Sequence, residues 1–410
     1  MKVVVVGSGG REHALALVLG RTAEVVVTPG NPLIPGSVPT KVEDLVADGS
    51  VDLVVVGPEQ PLVAGVADRL RKQGVRVFGP GAEGARLEGS KAYMKMIAEE
   101  AGLATAAWEA FTDVDDAVRY LNGMDGPYVV KTDGLAAGKG VLVTDSLIDA
   151  VNDVRSKLGG TAFGESGRRV VIEEALVGPE VSVFAVCDGT RTVCLPASQD
   201  FKRVGDGDAG PNTGGMGAWS PLPFIPEGFE EQVARDFIEP TLAELRQRGI
   251  DYRGVLYAGF ILTADGPKLL EYNVRFGDPD SQVVLLRMTS DLTELLAAAA
   301  DGDLTRVPAP TFADASVLVV AASEGYPVVP RTGDAIEGLD AAAACEGATV
   351  LGAGVGARPD GTLTTAGGRV LNVIGTGATT DEARTRAYDA LGCISWPGEH
   401  HRTDIALPPA

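Results

Sequence analysis

The chain has 410 residues, of which 45% are hydrophobic and 22% are charged. These are the proportions of an ordinary globular protein, and the length allows roughly two to four domains. The 56 acidic residues outnumber the 35 basic ones and give a formal charge of −21. Because this charge repels nucleic acids and anionic membranes, an anionic ligand must be held by local basic or amide-rich sites. The composition predicts small-molecule chemistry, with no nucleic-acid partner and no membrane partner.

Cysteine and histidine usage argues against a metal or disulfide framework. The chain has four cysteines, none in CxxC spacing, and three histidines. Neither a zinc site nor a set of disulfides is expected, and a reducing compartment fits. The first strand-forming run of the chain already begins at residue 3 and extends over 3–6, and no apolar run approaches about 20 residues. We expect no signal peptide and a cytoplasmic location.

Short apolar runs separated by helix-length segments predict an N-terminal parallel α/β domain over residues 1–90. The turn GSGGREH at 7–13 brings glycines to a helix start, which is a ready anion site. A dinucleotide site is disfavoured because Glu12 stands at the third glycine of GxGxxG and no acid follows the second strand. A phosphate or phosphosugar site fits better. The loop GPEQPL at 57–62 should face the same cleft, although a plain proline turn is the alternative.

The stretch YVVKTDGLAAGKGVLV at 128–143 predicts two strands joined by a phosphate-binding hairpin. Its glycines let the backbone approach phosphate oxygens, while Lys131 and Lys139 add positive charge. It is not a Walker A loop, because Gly140 follows the lysine and a strand continues. A flexible hairpin with a solvated lysine is the alternative.

Residues 88–103 predict a helix that is capped by Ser90 and ends at Gly102. Lys91 and Lys95 lie four apart and share a face of this helix. A surface pair is the default interpretation, and contact between Lys91 and a phosphate is the alternative.

Residues 168–186 predict a strand, a turn and a second strand. Glu173, Glu174 and Glu180 lie where a hinge between two lobes can offer them to an adenine amino group and to ribose hydroxyls. An edge strand with exposed acids is the alternative.

The segment SQDFKRVGDGDAGPNTGGMGAWSP at 198–221 has six glycines and little periodicity. Loops of this length inside a compact domain are usually functional or disordered. Phe201, Met216 and Trp219 disfavour disorder, since they need packing partners. The segment is therefore interpreted as a substrate loop.

Residues 268–282 predict a strand that carries polar side chains on one face. Leu269, Glu271 and Asn273 are expected to share that face. Two oxygen ligands at i and i+2 suit magnesium, which takes few protein ligands. Arg275 continues the face and can hold a phosphoryl group. A solvated polar face is the alternative, and the GDP turn that follows disfavours it.

A proline-containing linker at 301–314 precedes a small C-terminal α+β domain over residues 313–410. Predicted strands at 315–323, 347–354 and 369–375 are followed by a helix at 380–391. This region offers few candidate catalytic groups.

Taken in order, these stretches resemble the ATP-grasp superfamily, and within it the family of phosphoribosylamine–glycine ligases, over nearly the whole chain. The resemblance rests on GSGGREHAL, VVGPEQPLVAGVAD, FGP, LEGSKAYMK, VVKTDGLAAGKGV, VIEEALVGPEVS, SQDFKRVGDGDAGPNTGGMGAWSP, GVLYAG, EYNVRFGDPDSQ and GGRVLNV. Each segment is weak alone, but their number and order make coincidence a poor explanation.

The resemblance implies a pre-ATP-grasp domain at 1–90, a two-lobed ATP-grasp core at 91–312 with a mobile lid lobe at about 105–186, and the C-terminal domain. It implies a monomer that uses ATP and Mg²⁺ or Mn²⁺. The implied substrates are glycine and 5-phosphoribosylamine, which are joined through glycyl phosphate in purine biosynthesis.

The resemblance also implies site residues, transferred motif by motif. ATP is expected at Lys91, Lys131, Asp133, Gly134, Gly138, Lys139, Gly140, Glu173, Glu174, Leu176 and Glu180. The metal is expected at Glu271 and Asn273. Substrates are expected at Gly9, Gly10, Arg11, Glu59, Asp206, Asn212, Thr213, Gly214, Gly215, Met216 and Arg275. The catalytic groups are expected to be Arg275, Lys131 and Asp278.

Three stretches depart from the family pattern. PGNPLIPG at 29–36 replaces a run of small residues, which leaves the substrate contacts there open. Asp280 ends GDPD where glutamate is usual, a loss of one methylene of reach. The tail at 400–405 follows the family ending only loosely. None of these departures touches the predicted metal pair.

Other interpretations remain. Another ATP-grasp carboxylate–amine ligase, or a carboxylase similar to biotin carboxylase, is the nearest. A nucleotide-binding regulatory protein without catalysis is disfavoured by Lys131, Glu271, Asn273 and Arg275. A dehydrogenase is disfavoured by the broken glycine fingerprint.

Overall fold

A parallel sheet covered by helices forms the first region of the chain. The computed structural model describes residues 1–136, 140–160 and 167–407. The first region comprises β1 (Lys2–Gly7), α1 (Gly10–Leu19), β2 (Glu24–Pro29), α2 (Val42–Leu45), β3 (Leu53–Val56), α3 (Glu59–Val63), α4 (Val66–Lys72), β4 (Val77–Phe78) and α5 (Ala82–Gly89). The strands are parallel in the order β2-β1-β3-β4. Val3 and Val5 enter one core and Val4 the other, because strand side chains alternate between faces. The predicted parallel α/β domain is confirmed.

An antiparallel sheet with two helices forms a lobe with its own small core. The helix α6 (Lys91–Glu100) precedes this lobe and packs in the large core of the molecule. The lobe itself comprises β5 (Trp108–Phe111), α7 (Val114–Asn122), β6 (Tyr128–Thr132), β7 (Val141–Thr144), α8 (Leu147–Leu158) and β8 (Val170–Glu174). The sheet order is β5-β8-β6-β7, and α7 and α8 pack on it through Ala117, Leu121, Ala150 and Val154. The antiparallel pairing of β6 with β7 confirms the two strands predicted at 128–143. The strands of this sheet and the helices α7 and α8 all lie between residues 108 and 174, so the lobe is formed by neighbouring parts of the chain.

A second antiparallel sheet faces this lobe. Its region comprises β9 (Glu180–Asp188), β10 (Thr192–Cys194), β11 (Gln199–Asp200), β12 (Arg203–Gly205), β13 (Ala209–Asn212), β14 (Gly217–Ser220), α9 (Phe229–Val233), a π-helical turn (Ala234–Ile238), α10 (Glu239–Gln247), β15 (Arg253–Thr263), β16 (Gly266–Asn273), α11 (Asp280–Arg287) and α12 (Leu292–Asp301). The sheet order is β10-β9-β15-β16. β8 and β9, joined by the turn at Gly178, therefore belong to different sheets and form the connection between two lobes.

The C-terminal region completes a sheet that begins earlier in the chain. It comprises β17 (Ala315–Ala322), α13 (Leu339–Ala343), β18 (Ala348–Gly352), β19 (Val355–Ala357), β20 (Leu363–Thr365), β21 (Arg369–Gly377) and α14 (Thr380–Leu391). The sheet order is β11-β14-β17-β21-β18. Ala218 of β14 pairs with Leu318 of β17, so residues on both sides of the linker share one sheet. Within the described ranges, no helix has the length and apolar content needed to cross a bilayer.

Two sequence-based expectations are corrected here. The segment 198–221 is not mainly irregular: it contains four short strands, because its backbone pairs with distant partners such as β17. The strand predicted at 268–282 ends at Asn273, and α11 begins at Asp280. The residues between the two elements, 274–279, include the glycine and proline that end the strand.

Candidate active site

A buried ion-pair network joins the two lobes. The carboxylate of Glu173 on β8 lies 2.9 Å from Nζ of Lys131 on β6 and 2.9 Å from Nζ of Lys95 on α6. Lys95 Nζ also donates to Thr105 Oγ1 at 2.8 Å, and that hydroxyl donates to the carbonyl of Leu269 on β16 at 2.6 Å. One acid therefore holds two lysines, and the network extends to the strand that carries the predicted metal pair.

Lys95 is fully buried, with 0% exposure, so its default interpretation as part of a surface pair is wrong. Burial lowers the pKa of Lys95 to about 8, against the opposing effect of Glu173. Burial alone would raise the pKa of Glu173, but the charges of Lys131 and Lys95 outweigh it and lower that pKa. The carboxylate of Glu173 thus stays ionised between two lysines. Both carboxylate oxygens of Glu173 form ion pairs with these lysines. The contact of Glu173 with adenosine stays a prediction.

The glycine hairpin is tied to the start of α6. Asp133 accepts hydrogen bonds from Ser90 Oγ at 2.9 Å and from the backbone N–H of Ala92 at 3.1 Å. Lys91 is the first residue of that helix, so the charge of its side chain adds to the positive end of the helix dipole. Gly134 has φ of 142°, a backbone that favours glycine.

The far side of the hairpin is only partly described. A Cβ added to Gly140 would lie 2.8 Å from Ala136 Cβ and 3.0 Å from Thr132, so a side chain there would push the two ends of the hairpin apart. The predicted ATP contacts Gly138 and Lys139 lie outside the described residues. The structure therefore shows how the hairpin begins and ends but leaves its tip as a prediction.

The remaining hinge acids have partners of their own. Glu174 Oε1 accepts from the backbone N–H of Ala107 at 3.1 Å and lies 3.4 Å from Lys268 Nζ. Glu180 forms an ion pair with Lys202 of the 198–221 segment. Leu176, between these two acids, is half-buried. All three lie at the junction of the two lobes, as a hinge-bound nucleotide would require, and their contact with adenosine stays a prediction.

Glu271 and Asn273 share one face of β16, as predicted, but Leu269 does not. Gly259 of β15 pairs with Glu271 and the next residue, Phe260, pairs with Leu269, so Leu270 is an extra residue in the strand. This β-bulge reverses the alternation, and Leu269 enters the core together with Tyr272. The bulge thus directs the two oxygen donors away from the core.

The donor set at β16 fits a divalent cation. Burial raises the pKa of Glu271, but the charges of Lys91, Lys202 and Lys131 outweigh it and lower that pKa, so the carboxylate is anionic. A carboxylate and a carboxamide oxygen at i and i+2 are hard ligands, and phosphate and water can supply the rest of a magnesium shell. Among the described residues, no group of three or more His, Cys, Asp or Glu converges as a fuller protein cage would require.

Arg275 is held by two acids from the first region. Its guanidinium lies 2.9 Å from Glu88 Oε1 and 3.3 Å from Glu59 Oε2. Glu88 also accepts from the backbone N–H of Val274 at 2.8 Å. These acids raise the pKa of Arg275 although burial opposes them. The sequence interpretation missed Glu88, although the LEGSK motif contains it.

The tight loop at 212–216 packs against the GDP turn. Arg369 on β21 bonds to the carbonyls of Gly214 and Asp278, the latter at 3.0 Å, and its guanidinium lies 3.3 Å from the Asp278 carboxylate. A Cβ on Gly215, whose φ is 104°, would lie 2.4 Å from Pro279 Cδ. Thr213 donates to the carbonyl of Lys202 through its N–H and its hydroxyl, at 2.8 Å each. The C-terminal region therefore shapes this loop through Arg369, although it offers few candidate catalytic groups of its own.

The glycine turn before α1 is organised by Glu12. Its carboxylate accepts from the backbone N–H of Gly9 at 2.6 Å and from Arg11 Nε at 2.6 Å. Arg11 also donates to the carbonyl of Phe276 at 3.0 Å. A Cβ on Gly7 would lie 2.5 Å from Glu12 Cγ. The residue that breaks the dinucleotide fingerprint thus positions the arginine predicted to contact substrate.

Asn372 on β21 is a polar residue that the sequence interpretation missed. It has 0% exposure, and neither of its amide atoms has a hydrogen-bond partner in the described part of the chain. A Cβ on Gly10 would lie 1.9 Å from Asn372 Nδ2. The GGRVLNV motif contains Asn372, and it is the sequence signal from which this residue could have been singled out.

Three of the predicted substrate residues form contacts with other parts of the chain. Asp206 accepts from the backbone N–H of Thr403 at 2.7 Å, which ties it to the C-terminal segment. Asn212 pairs with Arg203 in the β12–β13 hairpin. Met216 is fully buried, and its backbone forms hydrogen bonds with Phe201 and Val320. Their roles in binding stay predictions.

Two lysines held between hinged lobes, a glycine hairpin and an acid–amide pair on the opposing antiparallel sheet define an ATP-grasp enzyme. The chain matches the models of the phosphoribosylglycinamide synthetase N domain at 1–88, ATP-grasp (A) domain at 89–281 and C domain at 316–408. It therefore belongs to the phosphoribosylglycinamide synthetase family. The recognition of the family from sequence motifs is confirmed. Members of this ATP-dependent ligase family use ATP and a divalent metal.

Individual relatives agree with this assignment. The chain is 47% identical to the phosphoribosylamine–glycine ligase of Streptomyces coelicolor, with 100% of both chains covered. The crystal structure of the phosphoribosylamine–glycine ligase of Thermotoga maritima matches with a TM-score of 0.87 and 35% identity, covering 99% of this chain and 100% of that one. The biotin carboxylase domain of Hydrogenobacter thermophilus 2-oxoglutarate carboxylase, solved with MgADP and bicarbonate, shares the fold at a TM-score of 0.73 and 16% identity, covering 98% of this chain and 91% of that one.

Proposed function

We propose that this chain joins glycine to 5-phosphoribosylamine at the expense of ATP, giving glycinamide ribonucleotide, ADP and phosphate in purine biosynthesis. The observation that carries the proposal is the match to phosphoribosylamine–glycine ligases over the whole chain. The paired lysines opposite Glu271 and Asn273 support it, since they provide the charges that phosphoryl transfer needs.

The reaction explains which side chains the site contains. A carboxylate is a poor electrophile, so the γ-phosphoryl group of ATP is first transferred to a glycine carboxylate oxygen, which releases ADP. The amine of phosphoribosylamine then attacks the carbonyl carbon of glycyl phosphate, phosphate leaves, and the amine loses a proton. These steps depend on positioning and charge neutralisation rather than on a nucleophilic side chain.

The ATP phosphates are proposed to bind Lys91 and Lys131, with the hairpin that starts at Asp133 folding over them. Glu173 keeps Lys131 in place, and the Lys95 charge leaves the three-residue network with a net positive charge. Because acyl phosphates hydrolyse, a closed hairpin that excludes water protects the intermediate. Glu174, Leu176 and Glu180 are proposed to face the nucleoside.

Glu271 and Asn273 are proposed to hold Mg²⁺ or Mn²⁺. Bound there, the cation supplies charge neutralisation for the phosphates. Arg275, which Glu59 and Glu88 hold by ion pairs, is proposed to contact the transferring phosphoryl group. A bidentate guanidinium suits such an oxyanion.

Phosphoribosylamine is proposed to bind where the first and last regions of the chain meet. Gly9, Gly10 and Arg11 offer the N-terminus of a ten-residue helix and a guanidinium to its phosphate. Asp278 and the loop at 212–216 lie on the other side. One chain supplies all of these groups, which supports a monomer as the active form, and light scattering during gel filtration tests that assembly state.

The test is ADP release in the presence of magnesium with glycine alone, with phosphoribosylamine formed in situ from ribose 5-phosphate and ammonia, and with both. ADP that appears only with both, together with glycinamide ribonucleotide, supports the proposal. A bicarbonate arm covers the carboxylase alternative. ADP release that depends on bicarbonate or on another carboxylate, with none from glycine and phosphoribosylamine, would overturn the substrate assignment.

A further inference from the structure

A polar hairpin leads into the loop at 212–216 that is proposed to bind substrate. Its strands β12 and β13 pair through Arg203 and Asn212 and form a sheet of two strands. Residues 206–211 are all exposed, so burial of apolar surface contributes little to this hairpin. A two-stranded hairpin without such support is at best marginally stable in water. Its fixed position must therefore come from contacts with another part of the chain.

The segment at 400–405, here called the tail segment, supplies these contacts through Arg402. The side chain of Arg402 is only 2% exposed. Its guanidinium donates to the carbonyl of Arg203 at 3.1 Å and to Asp208 Oδ1 at 3.1 Å. The guanidinium carbon also lies 5.0 Å from the centre of the Phe201 ring, a distance at which a cation and an aromatic face attract. Arg402 thus contacts both the base and the tip of the hairpin.

Two neighbours of Arg402 complete the contact with the hairpin tip. Asp404 accepts from Arg402 at 2.7 Å through each carboxylate oxygen, and its Oδ2 also accepts from the backbone N–H of Gly207 at 2.8 Å. Thr403 donates to Asp206 through its backbone N–H, at 2.7 Å, and through its hydroxyl. Both carboxylate oxygens of Asp206 therefore already accept hydrogen bonds from the tail segment.

The tail segment is itself anchored on both sides of the substrate loop. His400 pairs with Ala322 of β17 in an antiparallel bridge. Ile405 is fully buried, and a Cβ on Gly217 would lie 2.7 Å from Ile405 Cδ1. Gly217 directly follows the loop at 212–216, whereas the hairpin directly precedes it. The tail segment therefore contacts the chain before and after this loop.

The base of the hairpin is bonded to the loop. The backbone N–H of Thr213 donates to the carbonyl of Lys202 at 2.8 Å, and that of Met216 donates to the carbonyl of Phe201 at 2.7 Å. Arg402 contacts the residues on either side of Lys202. A shift of the hairpin base would therefore shift the loop with it.

We propose that Arg402 is a positioning residue for the loop at 212–216, and that Asp206 and Asp208 serve as acceptors for the tail segment. This assignment rests on the proposed function, because it takes the loop to bind phosphoribosylamine. In this arrangement Asp206 acts on the substrate through the loop and not by direct contact.

Positioning acts through the population of molecules whose loop is ready to bind. If only a fraction of the molecules has the loop in place, the apparent dissociation constant of the ligand rises by the inverse of that fraction. Saturating substrate restores the loop, so kcat changes little. Partial unfolding has the opposite signature, since it lowers kcat because fewer molecules are active and leaves KM unchanged.

The test measures initial rates of ADP release for the natural protein and Arg402→Met, with phosphoribosylamine formed in situ from ribose 5-phosphate and ammonia. Loss of the charge-assisted hydrogen bonds of a buried guanidinium should raise the apparent KM for phosphoribosylamine about tenfold or more. The kcat and the KM for ATP should each change less than about threefold. Without substrates, hydrogen–deuterium exchange at 203–216 should become faster in the variant, while exchange in β6 should not.

Three further variants sharpen the test. Arg402→Lys keeps the charge without the planar fork and should give an intermediate KM. Arg358→Met, on an exposed turn of the same C-terminal region, should match the natural protein. Asp206→Ala should raise the KM for phosphoribosylamine and speed up exchange at 203–216, whereas a residue that contacts only the substrate would leave exchange unchanged. Asp206 is exposed, so this variant tests the assignment if Arg402→Met does not fold.

The outcomes separate the two proposals. An unchanged KM for phosphoribosylamine in folded Arg402→Met and Asp206→Ala, a fall in kcat at constant KM, or equal changes in the KM for phosphoribosylamine and for ATP would overturn the positioning role. Absence of any glycine- and phosphoribosylamine-dependent ADP release by the natural protein would instead overturn the proposed function. Faster exchange at 203–216 in Arg402→Met would then still support the hold of the tail segment on the loop.

Discussion

Replacing Lys95 by methionine should separate nucleotide binding from stability. Glu173 keeps Lys131 as a partner in Lys95→Met, so no carboxylate is left alone. The pKa of Lys95 falls from 10.5 to about 8 on folding, a difference of 2.5 units. At about 1.4 kcal/mol per unit, the charged ammonium costs the fold about 3 kcal/mol near neutral pH. The variant should therefore be as stable as the natural protein or more so.

Nucleotide affinity should fall in the same variant. The network of two lysines and one acid has a net charge of +1, which becomes zero. If a phosphate binds about 6 Å from this charge, the interaction contributes about 3 kcal/mol at an effective dielectric constant of about 20. The dissociation constant of ADP should therefore rise about a hundredfold, since about 1.4 kcal/mol is a factor of ten. Isothermal titration calorimetry measures it, and Lys72→Met on an exposed helix surface is the matched control.

The pH dependence of ADP binding gives an independent check. Lys95 loses its proton as the pH rises through about 8, so ADP affinity in the natural protein should weaken above that pH. In Lys95→Arg the guanidinium stays charged and the weakening should disappear. Binding is measured rather than turnover, because the amino group of glycine also titrates at alkaline pH. Unchanged ADP affinity in Lys95→Met, or equal pH profiles for the natural protein and Lys95→Arg, would refute the reasoning.

Three other predictions concern the metal pair, the first helix and the C-terminal region. Glu271→Gln and Lys131→Ala should each cut turnover about a hundredfold or more while the circular dichroism spectrum is kept, and near-normal activity in either would contradict its assignment. Burial lowers the pKa of His13 from 6.5 to about 4, so stability should fall by about 3 kcal/mol as the pH drops through that window. His13→Gln, which keeps an acceptor for the backbone N–H of Gly352, should flatten this loss in urea titrations. Arg369→Ala should lower kcat/KM for phosphoribosylamine about tenfold through loss of the contacts to Gly214 and Asp278, with ADP affinity unchanged; equal losses for both ligands would indicate general unfolding.

The sequence correctly predicted those features that depend only on residues close to one another in the chain. The Ser90 cap was predicted because capping depends on a hydroxyl three residues before a backbone N–H. The parallel strands of the first region and the hairpin at 128–143 were predicted from β-branched runs and glycines. The shared face of Glu271 and Asn273 was predicted from the two-residue period of a strand. Such signals lie within a few residues of one another.

Features decided by distant parts of the chain were not predicted. Lys95 and Glu173 are 78 positions apart, so the helix period could place Lys95 on a face but could not show that β8 would bury it. Glu88 meets Arg275 only after the first region packs against the sheet of β16. The bulge at Leu270 depends on the register with β15, which alternation within one strand does not contain. The predicted contacts at Gly138 and Lys139 lie outside the described residues.

The sheet that unites β14 with β17 bears on how this chain can be divided. A fragment that ends in the proline-containing linker at 301–314 would keep β14 but lose its partner. Gly217, Ala218, Trp219 and Ser220 are buried, so their backbone groups and side chains would form a new, apolar sheet edge. Edges of that kind pair with other chains. Expression of residues 1–312 alone should therefore yield aggregates, whereas co-expression with the missing segment should restore a paired edge and a dispersed protein.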